Sequence, residues 1–96
     1  MYKFVKALNN YTYECCRKQF GHPETSDLSQ IGGWVLNEEE IDTLPVDCIF
    51  QKYDIPEQYQ NDIEMFKTDF WDGDLIFNAH TEQFEEFEPF ESFGHI

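Results

Sequence analysis

Apolar and polar positions alternate at the amino terminus. Tyr2 and Phe4 flank Lys3, so residues 1–8 are predicted to form a short strand. From Tyr11 the period changes. Tyr13, Cys16 and Phe20 stand three and four apart and would share one face of a helix over about 11–20, with Asn10 as its cap and Gly21 as its stop. The rival is a hairpin with Asn9-Asn10 as the turn and residues 11–13 as the second strand. Residues 22–30 are polar, contain Pro23 and read as a loop. Gly32-Gly33 leads into Trp34-Val35-Leu36, an apolar run suited to a strand. Asn37 before Glu38, Glu39 and Glu40 marks a helix start. Asn caps, Glu40 reaches back from the third position, and acids favour the positive end of the helix dipole. Pro45 ends that helix within two turns, and residues 46–53 read as the next strand.

The clearest periodicity follows. Tyr59, Ile63, Phe66 and Phe70 fall on one side of a helical wheel, while Glu57, Asp62, Glu64, Asp69 and Asp72 take the other. A helix over 56–71 with Pro56 in its first turn fits this pattern. Asp72-Gly73-Asp74 stops it, and residues 74–78 read as a final strand. A hairpin turn at Asp72-Gly73 is the lesser alternative. Beyond residue 80 the pattern changes again. Phe84, Phe87, Phe90 and Phe93 recur every three residues with Glu82, Glu85, Glu86, Glu88 and Glu91 between them. A period of three suits a 3₁₀ turn or an extended polyproline-like path. The expected fold is one small α+β domain over 1–80, a short, mostly antiparallel sheet against one main amphipathic helix. An acidic, Phe-rich segment over 81–96 follows it.

Length and composition narrow the function. Ninety-six residues fit one domain, which buries about 60–65 % of its unfolded surface. Aromatics at 18 % argue against disorder despite a net charge of −14. The charge is uneven. Residues 1–18 carry four cations against Glu14, a net of +3, and residues 19–96 carry two cations against nineteen acids, a net of −17. Too few cations exist to neutralise a nucleic-acid backbone directly, and an anionic membrane would repel the chain. No apolar run approaches the roughly 18 residues of a membrane span, and no signal segment is visible. Three cysteines, Cys15, Cys16 and Cys48, are an odd number with two adjacent, which suits free thiols in a reducing cytoplasm.

Catalytic and metal motifs are weak. Adjacent Cys15 and Cys16 do not give the spaced pair of a structural zinc site with His22 and Cys48. Asp69, Asp72 and Asp74 around Gly73 break the alternation of a calcium loop and fit a helix end. His22, His80 and His95 lack a nucleophile partner, Gly32-Gly33 lacks the Lys of a phosphate loop, and close carboxylates are expected by chance among twenty acids. The expectation is a non-enzyme with no cofactor and no metal.

Dense negative charge on a folded domain is what remains. Acids three to five apart on a helix stand roughly 4.5–7.5 Å apart, comparable to neighbouring phosphates on one strand. Solubility alone typically needs a net charge of about 2–8. In size, charge and aromatic content the chain resembles the small acidic inhibitors of phages and mobile elements: DNA-mimic anti-restriction proteins, anti-CRISPR proteins and uracil-DNA glycosylase inhibitors. That class shares no fold, so the resemblance implies function alone. It implies a protein that occupies the basic nucleic-acid site of a nuclease or of a CRISPR or restriction effector. Such a protein would work in the cytoplasm of the host. The expected contact residues are Glu38, Glu39, Glu40, Asp42, Glu57, Asp62, Glu64, Asp69, Asp72, Asp74, Glu82, Glu85, Glu86, Glu88 and Glu91. The alternative is an acidic-aromatic docking module or assembly subunit without mimicry, and homodimer formation stays open.

Overall fold

A computed structural model describes residues 1–26 and 31–87. Its centre is a four-stranded antiparallel sheet built from β1 (Tyr2–Ala7), β2 (Glu24–Thr25), β3 (Gly32–Asn37) and β4 (Phe50–Asp54), in the order β2-β3-β1-β4. β1 is central because its neighbours Phe4 and Val5, which point to opposite faces, are both fully buried. On Phe4's side lie Ile31, Ile55, Tyr59, Phe66, Phe70, Leu75 and Phe84; on Val5's side lie Cys16, Trp34, Leu36, Ile41 and Leu44. The sheet is therefore covered on both faces. Helices α1 (Asn10–Phe20) and α2 (Glu38–Asp42) cover one. Helix α3 (Ile63–Asp72) and a hairpin of β5 (Leu75–Asn78) and β6 (Gln83–Glu86) cover the other. The α+β class stands, with the sheet between two covering layers rather than against one helix.

Gly33 is required where β3 crosses Phe4. A Cβ there would lie 2.6 Å from the Phe4 ring and run into the Val5 carbonyl, so no larger residue fits without moving β1.

Helix wins over hairpin at residues 10–20. Its cap is Asn9, not Asn10: the Asn9 side chain accepts from the Thr12 N–H at 2.8 Å, one position earlier than expected. Cys16 is buried and Phe20 half-buried as the shared face requires. Tyr13 stays 39 % exposed but packs edge-on to Trp34 at 5.3 Å. The box at Asn37 forms as expected, with Glu40 N–H to Asn37 at 2.8 Å and Asn37 N–H to Glu40 at 3.0 Å.

Four expectations need correction. The loop at 22–30 contains β2, whose Glu24 and Thr25 pair with Gly33 and Gly32. The strand expected over 46–53 begins only at Phe50. Residues 46–47 turn instead, and Val46 is fully exposed. The helix expected over 56–71 is two pieces, a 3₁₀ turn at Glu57–Tyr59 and then α3, because the backbone leaves the helical conformation at Asp62, whose exposed side chain caps the new helix by accepting from Met65 N–H at 3.1 Å. Its apolar stripe survives the break, with Tyr59, Phe66 and Phe70 buried and Ile63 packed against them. Finally, residues 83–86 are a strand, not a 3₁₀ turn or polyproline path. β6 pairs with β5 in the register Phe77↔Phe84, and Phe84 is 6 % exposed in the core while Phe87 is 38 % exposed. Phe90 and Phe93 lie outside the described residues. Helix α3 ends at Gly73, whose φ of 83° is the left-handed cap conformation, which rejects the alternative turn at Asp72-Gly73.

Candidate acidic interaction surface

The acids divide between the two layers. Glu38, Glu39 and Asp42 are exposed on α2, one layer of the molecule. Glu40 beside them is half-buried, its carboxylate engaged by the Asn37 N–H. Glu57, Asp62, Glu64, Asp69, Asp72, Asp74, Glu82, Glu85 and Glu86 lie on the 3₁₀ turn, α3 and the β5–β6 hairpin, the opposite layer. Glu88 and Glu91 lie outside the described residues.

The expected helical row is only partly present. Glu57 precedes α3 and Asp62 is spent as its cap. Glu64 stands 3.5 Å from Lys67. Asp69 is half-buried and accepts from the Tyr59 hydroxyl at 2.9 Å. Burial, and then this carboxylate, push the Tyr59 phenol up to about 12. Asp72 remains exposed at the end of the helix.

In place of the row, tertiary packing brings other acids together. Glu57 and Glu82, distant in sequence, face one open groove along with Asp54. Glu86 on β6 accepts from the Gln58 amide at 3.4 Å. Glu85 accepts from Asn78 at 3.0 Å across the hairpin. Asp54 is a member that composition did not single out, because it reads as the end of a strand. It is 86 % exposed at its side chain and paired with Lys3.

Little of this charge is neutralised. The ion pairs among the described residues are Lys3–Asp54, Lys67–Glu24 and Lys67–Glu64. Glu24, on β2, differs from the other acids. Its side chain is 13 % exposed, one carboxylate oxygen lacks a hydrogen-bond partner among the described residues, and Lys67 is 3.8 Å away. Burial pushes this carboxyl up from its ordinary value, and Lys67 only partly opposes it.

The three cysteines are free, with Cys16 buried and Cys15 and Cys48 half-buried. Burial raises Cys16 to about 11. Among the described residues no group of three or more His, Cys, Asp or Glu side chains is placed to hold a metal ion. No helix there is long and apolar enough to cross a membrane. Compared with protein-family models, characterised proteins and solved structures, the chain matches none.

Proposed function

We propose that this protein is a small acidic inhibitor that occupies the nucleic-acid site of a basic partner, its carboxylates standing in for phosphates. The observation that carries the reading is exposed, largely uncompensated acid on an ordered scaffold. Glu57, Asp72, Asp74, Glu82, Glu85 and Glu86 are all exposed on one layer, and none is within 4.0 Å of a described cation. A self-repelling surface of this kind destabilises the fold it sits on, so solubility alone does not account for it. The partner on this reading is a nuclease or a CRISPR or restriction effector in the cytoplasm, engaged without catalysis, cofactor or direct contact with nucleic acid.

The test is capture from a cytosolic extract at low and high salt, followed by competition with DNA or RNA on the captured protein. Binding should weaken as salt rises and nucleic acid should be displaced. Single reversals should change affinity less than about fivefold, since exposed pairs contribute roughly 0–1 kcal/mol. Reversing Glu57, Glu85 and Glu86 together should do far more than reversing Glu38, Glu39 and Asp42. Salt-independent binding with no displacement would refute mimicry. The docking-module alternative draws on one specific observation, Trp71 at 60 % exposure beside Asp72. Trp71→Ala abolishing capture while the acid reversals do nothing would favour it.

A further inference from the structure

β4 is a sheet edge. Among the described residues it pairs with β1 alone. Every second residue of such a strand turns its N–H and C=O away from the sheet, ready to pair with another extended chain. The edge opens onto a groove rather than onto a flat surface. One wall runs from Gln51 to Asp54 and on through Ile55 to Glu57. The other is the hairpin turn from Thr81 to Phe84. The groove is made of two adjoining hollows that share Asp54 and Glu82, of about 300 and 550 Å³. Its lip on the hairpin side carries Glu57 and Glu82, while Asp54 and Lys52, which line it from β4, belong by strand alternation to the face of Lys3 and Val5. Asp54 is already shared with Lys3, so Glu57 and Glu82 supply the uncompensated charge. Glu82 also holds a φ of 56°, a left-handed conformation that glycine adopts freely and glutamate does not.

We propose that this edge receives an extended basic segment of the partner as a fifth strand. Five residues of β4 give a ladder of about 17 Å, enough for a segment of five or six residues. Side chains of an added strand alternate between faces. Tyr53 and Gln51 point to the hairpin side, as the register of β4 with Phe4 and Lys6 requires. Arg or Lys at every second position of the incoming segment would then meet Glu57 and Glu82, while main-chain bonds to β4 fix its register. The segment's cationic character follows from the lip it must pass. The proposal rests on the acidic-inhibitor reading and names how its partner is held.

The test uses the whole protein and a labelled nonapeptide with Arg at alternate positions and Val or Thr between them. Fluorescence anisotropy should show binding, and the backbone amides of residues 50–54 should be the ones whose NMR shifts move. Methylating the peptide nitrogens that face β4 keeps every charge but removes the ladder, and should weaken binding at least tenfold. Glu82→Gly should weaken binding several-fold with an unchanged or higher melting temperature, which separates a lost contact from a damaged fold. Equal affinity for the methylated peptide, shifts confined to α2, or no binding of the peptide would each overturn the proposal. Salt-sensitive binding that ignores methylation would do so while leaving the inhibitor reading intact, since that reading fails on nucleic-acid displacement instead. A dimer that a proline at Lys52 dissolves would give the edge to a second copy and overturn the proposal as well.

Discussion

Glu24 shows how far one side chain departs from the acids around it. Most carboxylates of this chain stay in water, but β2 carries Glu24 under Lys67 with one oxygen unpartnered among the described residues. Its carboxyl is raised by burial, so over a range above its ordinary value the folded chain keeps a proton that the unfolded chain releases. Its contribution to stability is therefore fully present below the unfolded pKa and is lost as pH rises through the folded value. Glu24→Gln should melt higher than the parent at pH 7 and by a smaller margin near pH 4, a difference on the order of a few degrees. Thermal melts of both proteins across that range decide it, and a margin independent of pH would refute the burial argument. The cysteines give a second expectation at this scale. Cys16 is fully buried and its thiol is raised to about 11, so little thiolate forms near neutral pH. A thiol reagent should count three on unfolded, unreduced protein but leave Cys16 unmodified in the native state. A count of one would reveal a bridge. Neither Glu24's burial nor the inertness of Cys16 against Cys15 is legible in sequence, because each depends on what the sheet lays over the residue.

The elements that sequence pattern located best are those whose signals are local. A capping box at Asn37–Glu40, a glycine stop at Gly73 and the apolar stripe of α3 each lie within a few residues. Phe66 is the centre of that stripe. It is fully buried, with ring centroids of Tyr59, Phe70 and Phe84 at 5.6, 6.0 and 5.2 Å. Phe66→Ala should cost about 3–5 kcal/mol, a large share of the roughly 5–15 kcal/mol that holds a domain together. Denaturant unfolding measures this, and a variant as stable as the parent would refute the core assignment. Where tertiary packing decides, pattern fails. Pro56 marks the helix start in the sequence, but α3 starts only after Asp62, because Tyr59 must first turn into the core. The three-residue spacing of the Phe residues hides β6, since only Phe84 of Gln83–Glu86 faces inward and the strand's own alternation spans four residues. β2 has two polar residues and no pattern at all. It exists through its pairing with β3. The candidate site divides the same way. Acid content is visible in the chain, but the approach of Glu82 to Asp54 and Glu57 comes from folding the hairpin back over β4.

At the scale of the whole molecule, charge acts against stability and, in the proposed complex, in favour of binding. A net charge of −14 repels itself within one small domain, while the described residues hold three ion pairs, two of them sharing Lys67. Each exposed pair contributes roughly 0–1 kcal/mol, so attraction is outweighed by the many unpaired carboxylates. Salt shortens the range of both, from about 30 Å at 0.01 M to about 10 Å at 0.1 M, and the longer-range repulsion loses more. Raising sodium chloride from about 0.01 M to about 0.5 M should therefore raise the melting temperature at pH 7. The same change should weaken a complex held by these carboxylates, because screening removes the attraction to a basic partner. Melting curves and binding isotherms taken across one salt series give both slopes from one preparation. A melting temperature that falls with salt would mean that the Lys3 and Lys67 pairs outweigh the repulsion. Binding that strengthens with salt would place the contact on apolar surface such as Trp71 rather than on charge.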